Sequence, residues 1–259
     1  SFNIGTLAVD TSLTFRVRSK DNDGGYSSGV NVTFTGIFTT PPIIIGGDIV
    51  SYEVHTFTTS GTLTVQDGPA VVDIMVVSGG GSGGSGGWSG GGGGGAGGMY
   101  YRQSMSINNG SYTVVIGAGG PSNTTANSGG SHINGYPGVA SSILSLGINP
   151  DGGGEGGGTY GWVTSGNKAG DGGSGGGAAK VIGIAGITTA TGPYEFGNDG
   201  GGSTVGNFDL LGSGGGGAGT AGYPALATSN ALGTAGAGKA ITIRKNSSGD
   251  ITEHFAGGG

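Results

Sequence analysis

Alternating apolar and polar residues mark strands near the start of the chain. Every second residue is apolar within residues 13–17 and again within 30–34. This alternation is typical of strands with one buried face. The acidic and glycine-containing run at 21–25 lies between them and is a strong turn signal. The pattern predicts an antiparallel hairpin, and a hairpin turn explains Asp21 and Asp23 better than a calcium site with so few nearby oxygen ligands.

Further strands are predicted along the rest of the chain. Residues 71–77 form a near-continuous apolar run, which predicts a strand buried on both faces. Residues 53–58 and 62–65 suggest a hairpin joined by Ser60 and Gly61. Two more strands are predicted at 111–117 and at 240–244, the last pairing back near the base of the domain.

Glycine fills most of the chain between these strands. It accounts for 69 of the 259 residues, and its longest block covers residues 79–98. Within that block Ser82, Ser85 and Trp88 are spaced by three, which is the repeat of the left-handed polyproline-II helix. The spacing favours ordered glycine helices over flexible linkers. Shorter blocks lie at 152–158, 171–179, 200–202, 212–222 and 233–238.

Isolated glycine helices are unstable, so the blocks must pack together. A polyproline-II chain has no internal hydrogen bonds, and its N–H and C=O groups need partners on neighbouring segments. Each such bond contributes only about 0.5–1.5 kcal/mol net, so many must form at once. We therefore expect an all-β fold plus a polyglycine-II helix bundle, with β-strands at the base and packed left-handed glycine helices. The N-terminal part belongs to a β-sandwich.

Three regions follow from these patterns. Residues 1–38 are expected to be the last strands of a β-sandwich, and residues 39–45, with Pro41 and Pro42, form a linker. Residues 46–259 make up the glycine-rich domain. Because Ser1 is not a natural start, we expect the chain to be a fragment of a longer polypeptide.

Composition argues against several classes of function. Only 9% of the residues are charged and the net charge is −6, so no basic patch is available to neutralise nucleic-acid phosphates. The chain has no cysteine, and therefore no disulfide or thiolate chemistry. No apolar run is long enough to span a membrane, so membrane insertion is not expected.

No motif predicts a cofactor or a catalytic site. Residues 233–240 nearly match a phosphate-binding loop, but Ala240 stands where a serine or threonine should hold magnesium, and a strand is expected to follow. His55, His132 and His254 are scattered without the spacing of metal ligands. The acidic residues lie at or near glycine blocks, where solubilising charge explains them. We expect no enzyme activity, no metal and no cofactor.

Aromatic residues near the ends of the glycine blocks are the candidate binding residues. Segments that connect rigid elements commonly carry binding sites, and aromatic side chains suit sugar rings or protein surfaces. A purely structural role, in which the rings cap the bundle against water, is the alternative. The candidate receptor-binding residues are Trp88, Tyr100, Tyr101, Tyr160, Trp162 and Tyr194.

The order of motifs resembles a known family. Phe-Thr-Thr-Ser-Gly at 57–61 is followed by Val-Asp-Ile-Met-Val-Val-Ser-Gly-Gly-Gly at 72–81, and Gly-Ser-Tyr-Thr-Val-Val-Ile-Gly-Ala-Gly-Gly follows at 110–120. With the later glycine blocks and the terminal strand, residues 43–245 resemble the glycine-rich domain of tailed-phage tail fibres. More distantly, they are similar to the distal tail-fibre adhesins of T-even-type phages. Residues 7–18 resemble the E–F corner of a fibronectin type III domain, although Leu13 stands where that family has a tyrosine.

The resemblance implies a phage tail-fibre or tail-tip adhesin, located in the virion tail or outside the cell. In those adhesins a sandwich of polyglycine-II helices carries receptor-binding loops at one end. The implied partners are a host-surface glycan or outer-membrane protein, and other tail proteins or copies of the chain itself. A structural extracellular or virion protein, such as a filament or decoration subunit assembling through its glycine-rich domain, is the alternative. Ice binding by flat glycine-helix faces is a third, although a regular threonine face is missing.

Overall fold

The described part of the chain is built from strands and extended segments. The computed structural model describes residues 12–17, 30–35, 54–66, 69–86, 90–122, 133–159, 168–179, 183–202, 211–225, 232–246 and 249–259. Within them lie nine strands and one short 3-10 turn (Leu144–Leu146), which confirms the all-β prediction there. No helix in this part is long and apolar enough to cross a membrane. The strands are β1 (Ser12–Val17), β2 (Val30–Thr35), β3 (Gly61–Val65), β4 (Ala70–Val77), β5 (Met99–Ile107), β6 (Gly110–Val114), β7 (Glu195–Phe196), β8 (Lys239–Asn246) and β9 (Gly249–Phe255).

The strands form four small antiparallel sheets. β1 pairs with β2, β3 with β6, β4 with β5 and then β7, and β8 with β9. The β1–β2 pairing confirms the two strands predicted near the start of the chain. The hairpin predicted between 53–58 and 62–65 is wrong for the described residues 54–58, because β3 pairs with β6 instead. That pairing sets Leu63 opposite Tyr112, and both side chains pack against the core.

The core lies on both sides of β4 and β5. One cluster includes Ile74, Val76, Tyr100 and Ile107, and the other contains Met99 with Met75 and Val77 packed against it. The prediction that residues 71–77 are buried on both faces therefore holds only for the second half of β4. Val71 is 70% exposed, and Asp73 sits at a register shift where its carboxylate accepts the Ser104 N–H at 2.8 Å.

Thirteen extended segments hold most of the glycine. They have no sheet ladder of their own, and they run between the strands and the opposite end of the molecule. In chain order they are g1 (78–86), g2 (90–98), g3 (115–122), g4 (133–140), g5 (150–159), g6 (168–173), g7 (174–179), g8 (183–190), g9 (197–202), g10 (211–217), g11 (221–225), g12 (232–238) and g13 (256–259).

Hydrogen bonds between these segments recur every three residues. In g1, one row of N–H groups donates to g2 and the next row donates to g4, so neighbouring residues serve different neighbours. The residues that donate to g4 also accept from g5 through their carbonyls. The g1-to-g2 bonds run from Ser78 to Gly98, from Gly81 to Gly95 and from Gly84 to Gly92, at 2.9–3.0 Å.

The segments pack in layers, and the innermost have neighbours on all sides. Segment g7 hydrogen-bonds to g2, g5, g6, g8, g9 and g10, and g10 is likewise bonded to six segments. Such close approach needs glycine, because a Cβ at Gly84 would overlap the carbonyl group of Gly157. The backbone is therefore the packing surface in these layers.

The molecule has two different ends. Sheets β3–β6, β4–β5–β7 and β8–β9 lie at one end of the segments, which we call the base. At the other, distal end, Gly86 bridges to Thr159 and the N–H of Ala178 donates to the carbonyl of Gly201. Six intervals outside the described residues have both of their flanking segments ending there: 87–89, 123–132, 160–167, 180–182, 203–210 and 226–231.

Candidate surface-binding site

Three of the six candidate aromatics lie together at the base. Tyr100 and Tyr101 are in β5, and Tyr194 is in the turn just before β7. The backbone N–H of Tyr101 donates to the carbonyl of Tyr194 at 2.9 Å, which fixes the turn beside the strand. The other three, Trp88, Tyr160 and Trp162, lie outside the described residues, in intervals flanked by distal-end segments.

Tyr194 forms the exposed part of the base cluster. Its ring meets that of Tyr100 edge to face, with centroids 5.9 Å apart and planes at 62°. The guanidinium carbon of Arg102 lies 4.9 Å from the Tyr194 ring centroid, within the range of a cation–π contact. Tyr194 itself is 39% exposed. Tyr194 therefore offers one partly exposed aromatic ring with a positive charge over it.

Arg102 was not among the residues selected from the sequence. Strand alternation could have indicated it, because Arg102 lies two residues after Tyr100 and residues two apart lie on the same face of a strand. The strand itself was not predicted, so this alternation could not be used.

Tyr100 and Tyr101 belong to opposite sides of the sheet. Tyr100 is 9% exposed and joins the cluster of Ile74, Val76 and Ile107, so it has little surface left for a receptor. Tyr101 packs against the cluster around Met99, and its hydroxyl has no hydrogen-bond partner of good geometry among the described residues. Burial, and then the Asp73 carboxylate, raise the pKa of Tyr101, while the nearby Gln103 side chain partly opposes them.

Carboxylates hold the turn that carries Tyr194. The Glu195 carboxylate accepts the N–H groups of Thr191 and Gly192 at 3.1 and 3.0 Å. Thr189 donates its hydroxyl to the Asp151 carboxylate at 2.7 Å. Because side chains satisfy these backbone groups, the turn is fixed independently of any ligand.

Among the described residues, the base has one small cavity beside the turn that carries Tyr194. A cavity of about 20 Å³ lies between Asp151, Thr189 and Glu195, which is room for one water molecule. The near-match to a phosphate loop at 233–240 runs into strand β8, so no helix N-terminus follows it. The described residues contain no group of three or more potential metal-ligating side chains.

A known protein family matches most of the chain. The model of the glycine-rich domain family matches residues 56–259, which include β3 to β9 and all thirteen glycine segments. The chain belongs to the glycine-rich domain family. No curated protein and no solved structure matches the chain.

Both groups of candidate aromatics fall inside the glycine-rich domain. The match begins at residue 56, so strands β1 and β2 lie before it. The domain boundary at 46 and the linker at 39–45 stay predictions. The candidate aromatics of the glycine-rich domain therefore form two groups, the described cluster around Tyr194 at the base and the residues in intervals flanked by distal-end segments.

Proposed function

We propose that this chain is a phage tail-fibre or tail-tip adhesin without enzymatic activity, located in the virion tail. Its glycine layers form a stiff scaffold, and chain segments at the distal end contact a host-surface glycan or outer-membrane protein. The observation that carries the proposal is the convergence of twelve flanking segment ends, two for each of six intervals, at the end away from the sheets.

The scaffold is proposed to consist of polyglycine-II helices. Support comes from the three-residue recurrence of hydrogen bonds and from the six bonded neighbours of g7 and g10. Among the described glycines only Gly110 and Gly147 have positive φ, and neither is in a glycine segment. Apart from Ala256 at the start of g13, where φ is 56°, φ is negative in the segments, which is compatible with the left-handed threefold helix of the polyproline-II type.

Stiffness is what makes such a scaffold useful for presentation. Segments with six bonded neighbours cannot move singly, because each would lose its hydrogen bonds to several others. The intervals at the distal end therefore start and finish at fixed points. We propose Trp88, Tyr160 and Trp162 as the principal receptor contacts, since they belong to those intervals and large aromatics dominate binding surfaces.

The upstream part is proposed to be the end of a fibronectin type III-like domain. The paired strands β1 and β2 agree with two neighbouring strands of such a sandwich. A module of this kind would connect the adhesin to other tail proteins.

Cell binding tests the proposal. Fluorescently labelled protein is incubated with a panel of bacterial strains, and binding to cells that retain it is compared with that of the variant Tyr160→Ala/Trp162→Ala. We expect that variant to lose binding while its far-UV circular dichroism is unchanged. The matched control is Tyr194→Ala at the base, which we expect to bind normally.

Other results would point elsewhere. Loss of binding only in Tyr194→Ala would move the receptor site to the base and contradict the distal assignment. Purified protein that binds no strain and forms filaments would favour the structural alternative, in which the domain assembles with copies of itself.

A further inference from the structure

One face of the glycine layers has backbone N–H groups that find no partner in the part of the chain that the structure describes. We call it the bare face; it is formed by the outward sides of g1, g2 and g3, next to g13. The N–H groups of Gly80 and Gly83 in g1 have no hydrogen-bond acceptor among the described residues. In g2 every third N–H group also lacks an acceptor among the described residues, namely those of Gly91, Gly94 and Gly97. The other N–H groups of residues 92–98 donate to g5 or g10.

The bare face is a pair of vacant positions in the layer pattern. Segments g12 and g13 lie side by side in an outermost row, since Gly258 donates to the carbonyl of Gly236. Segment g13 also bonds to g2 through the Gly259 N–H and the Gly94 carbonyl. Beyond g13, no described segment continues that row below g1 and g3. Gly94 and Gly97 are nevertheless buried, whereas Gly83 is exposed.

In g1 and g3, unlike g2, glycine persists on this face where the chain's own packing does not require it. A Cβ at Gly83 would come no closer than 3.4 Å to another atom, and one at Gly80 or Gly119 no closer than 3.5–3.6 Å. One residue further on, a Cβ at Gly84 would overlap a neighbouring backbone. Because glycine costs roughly 0.5–1 kcal/mol relative to alanine, a bare backbone here is explained by something outside the single chain that must approach it closely.

Elsewhere the fold covers such donors with side chains. On g8, the carboxylate of Asp171 accepts the Ile187 N–H at 2.9 Å, and that of Asp199 accepts the Thr188 N–H at 2.7 Å. Carboxylates of this kind blunt an edge that another chain could otherwise extend. The bare face has no such carboxylate among the described residues, and unpaired buried N–H groups are rare in folded proteins.

The face is complementary to itself. It presents donors on g1 and g2, and the outermost row presents the carbonyls of Gly257 and Gly258, which accept from no described residue. The outermost row of one copy holds g12 and g13, and the two positions beyond g13 are vacant. Rotating a second copy by 180° about an axis parallel to the segments places its g12 and g13 in those two vacant positions. Such a closed, twofold arrangement is the commonest symmetry of protein assemblies.

We propose that two copies of this chain associate through the bare face, with g12 and g13 of each copy completing the outermost layer of the other. The interface is made of backbone against backbone, so the partner must have the same three-residue hydrogen-bond repeat. This pairing goes beyond receptor binding and does not depend on it.

Sedimentation of purified protein tests the pairing. The chain has a mass of 24.6 kDa, and we expect the wild type to sediment as a dimer. Gly83→Asp places a charge on the bare face and should raise the dissociation constant about tenfold or more. The control is Gly202→Asp, because a Cβ at Gly202 meets nothing within 4 Å and g9 lies away from that face. It should remain dimeric.

Amide hydrogen exchange of the wild type, measured at several protein concentrations, is a second test of the pairing. The amides of Gly83, Gly91 and Gly94 should be protected at high protein concentration and exchange faster on dilution. A wild type that stays monomeric, or a Gly83→Asp variant that is folded and still dimeric, overturns the proposal. A monomeric wild type that pairs only with a different glycine-rich chain would also overturn it, and would assign the face to that chain.

Discussion

The base and the glycine layers are stabilised in opposite ways. At the base, Met99, Ile107 and Ile148 are almost completely buried, and side chains fill the space between strands. In the layers there are almost no side chains to bury, and backbone hydrogen bonds join each segment to as many as six others. The base therefore loses stability when atoms are removed, whereas the layers lose it when atoms are added.

The largest effect is expected from adding a side chain inside the layers. Gly84→Val should destabilise the domain by more than about 3 kcal/mol, because rigid backbone leaves no room for a Cβ at this position. Denaturant unfolding measures the change. Gly202→Ala is the control, because a Cβ at Gly202 meets nothing within 4 Å, and its stability should be equal or slightly higher. An unchanged unfolding midpoint for Gly84→Val would remove the packed-backbone description of the layers.

Removing atoms from the base should have a somewhat smaller effect. Ile107 is 2% exposed, and Ile107→Ala should cost about 2–5 kcal/mol through lost burial and the cavity left behind. Ile107→Val should cost only about 0.5–1.5 kcal/mol. Thermal unfolding of the two variants gives the comparison. Equal losses in both would show that volume is not what matters at this position.

Some strands of this fold could be predicted from the sequence and others could not. β4 and β8 could be predicted because their apolar residues are consecutive or regularly spaced. β5 could not, because Arg102, Gln103 and Ser104 interrupt its pattern and it begins directly after a glycine block. The pairing of β3 with β6 was also missed, since a partner almost fifty residues away leaves no local signal.

The candidate site was predictable to a similar degree. Sequence position placed Tyr100, Tyr101 and Tyr194 near ends of glycine blocks, and the structure brings them together at the base. Burial could not be foreseen, because neighbouring residues of a strand point to opposite sides, and the strand was unknown. Tyr100 is consequently a core residue, whereas Tyr194 is partly exposed.

A buried hydroxyl in the layers should behave differently from one at the border with the base. Ser174 is fully buried and its Oγ has no partner among the described residues, so Ser174→Ala should leave stability unchanged or raise it by about 1 kcal/mol. Ser78 donates to the carbonyl of Pro150 and accepts the Ser141 N–H, so Ser78→Ala should cost about 1–3 kcal/mol. Chemical denaturation distinguishes the two. A large loss for Ser174→Ala would reveal a partner for that hydroxyl.

The smallest effect concerns the charged edge of the layers. Hydrogen bonds from Lys168 and from the Ile187 N–H lower the pKa of Asp171 below its usual 3.8. A lowered folded-state pKa contributes stability above pH 3.8 that is lost as pH falls through the folded value. Asp171→Asn keeps an acceptor but no charge, so it should flatten this part of the stability profile between pH 5 and pH 2. An identical acid profile in both proteins would mean that the carboxylate contributes nothing, as many exposed ion pairs do.

The three-residue recurrence of hydrogen bonds also restricts how the length of a segment can change. Deleting one residue from g2 would turn all later residues by a third of a turn, and the groups that now bond to g10 would point at g5. Deleting or inserting three restores the direction in which every remaining row points and changes the length of that segment by about 9 Å, given a rise of about 3.1 Å per residue. The same change made in every segment would alter the height of the whole domain. Such a domain can grow taller or shorter in steps of three residues while its cross-section stays the same.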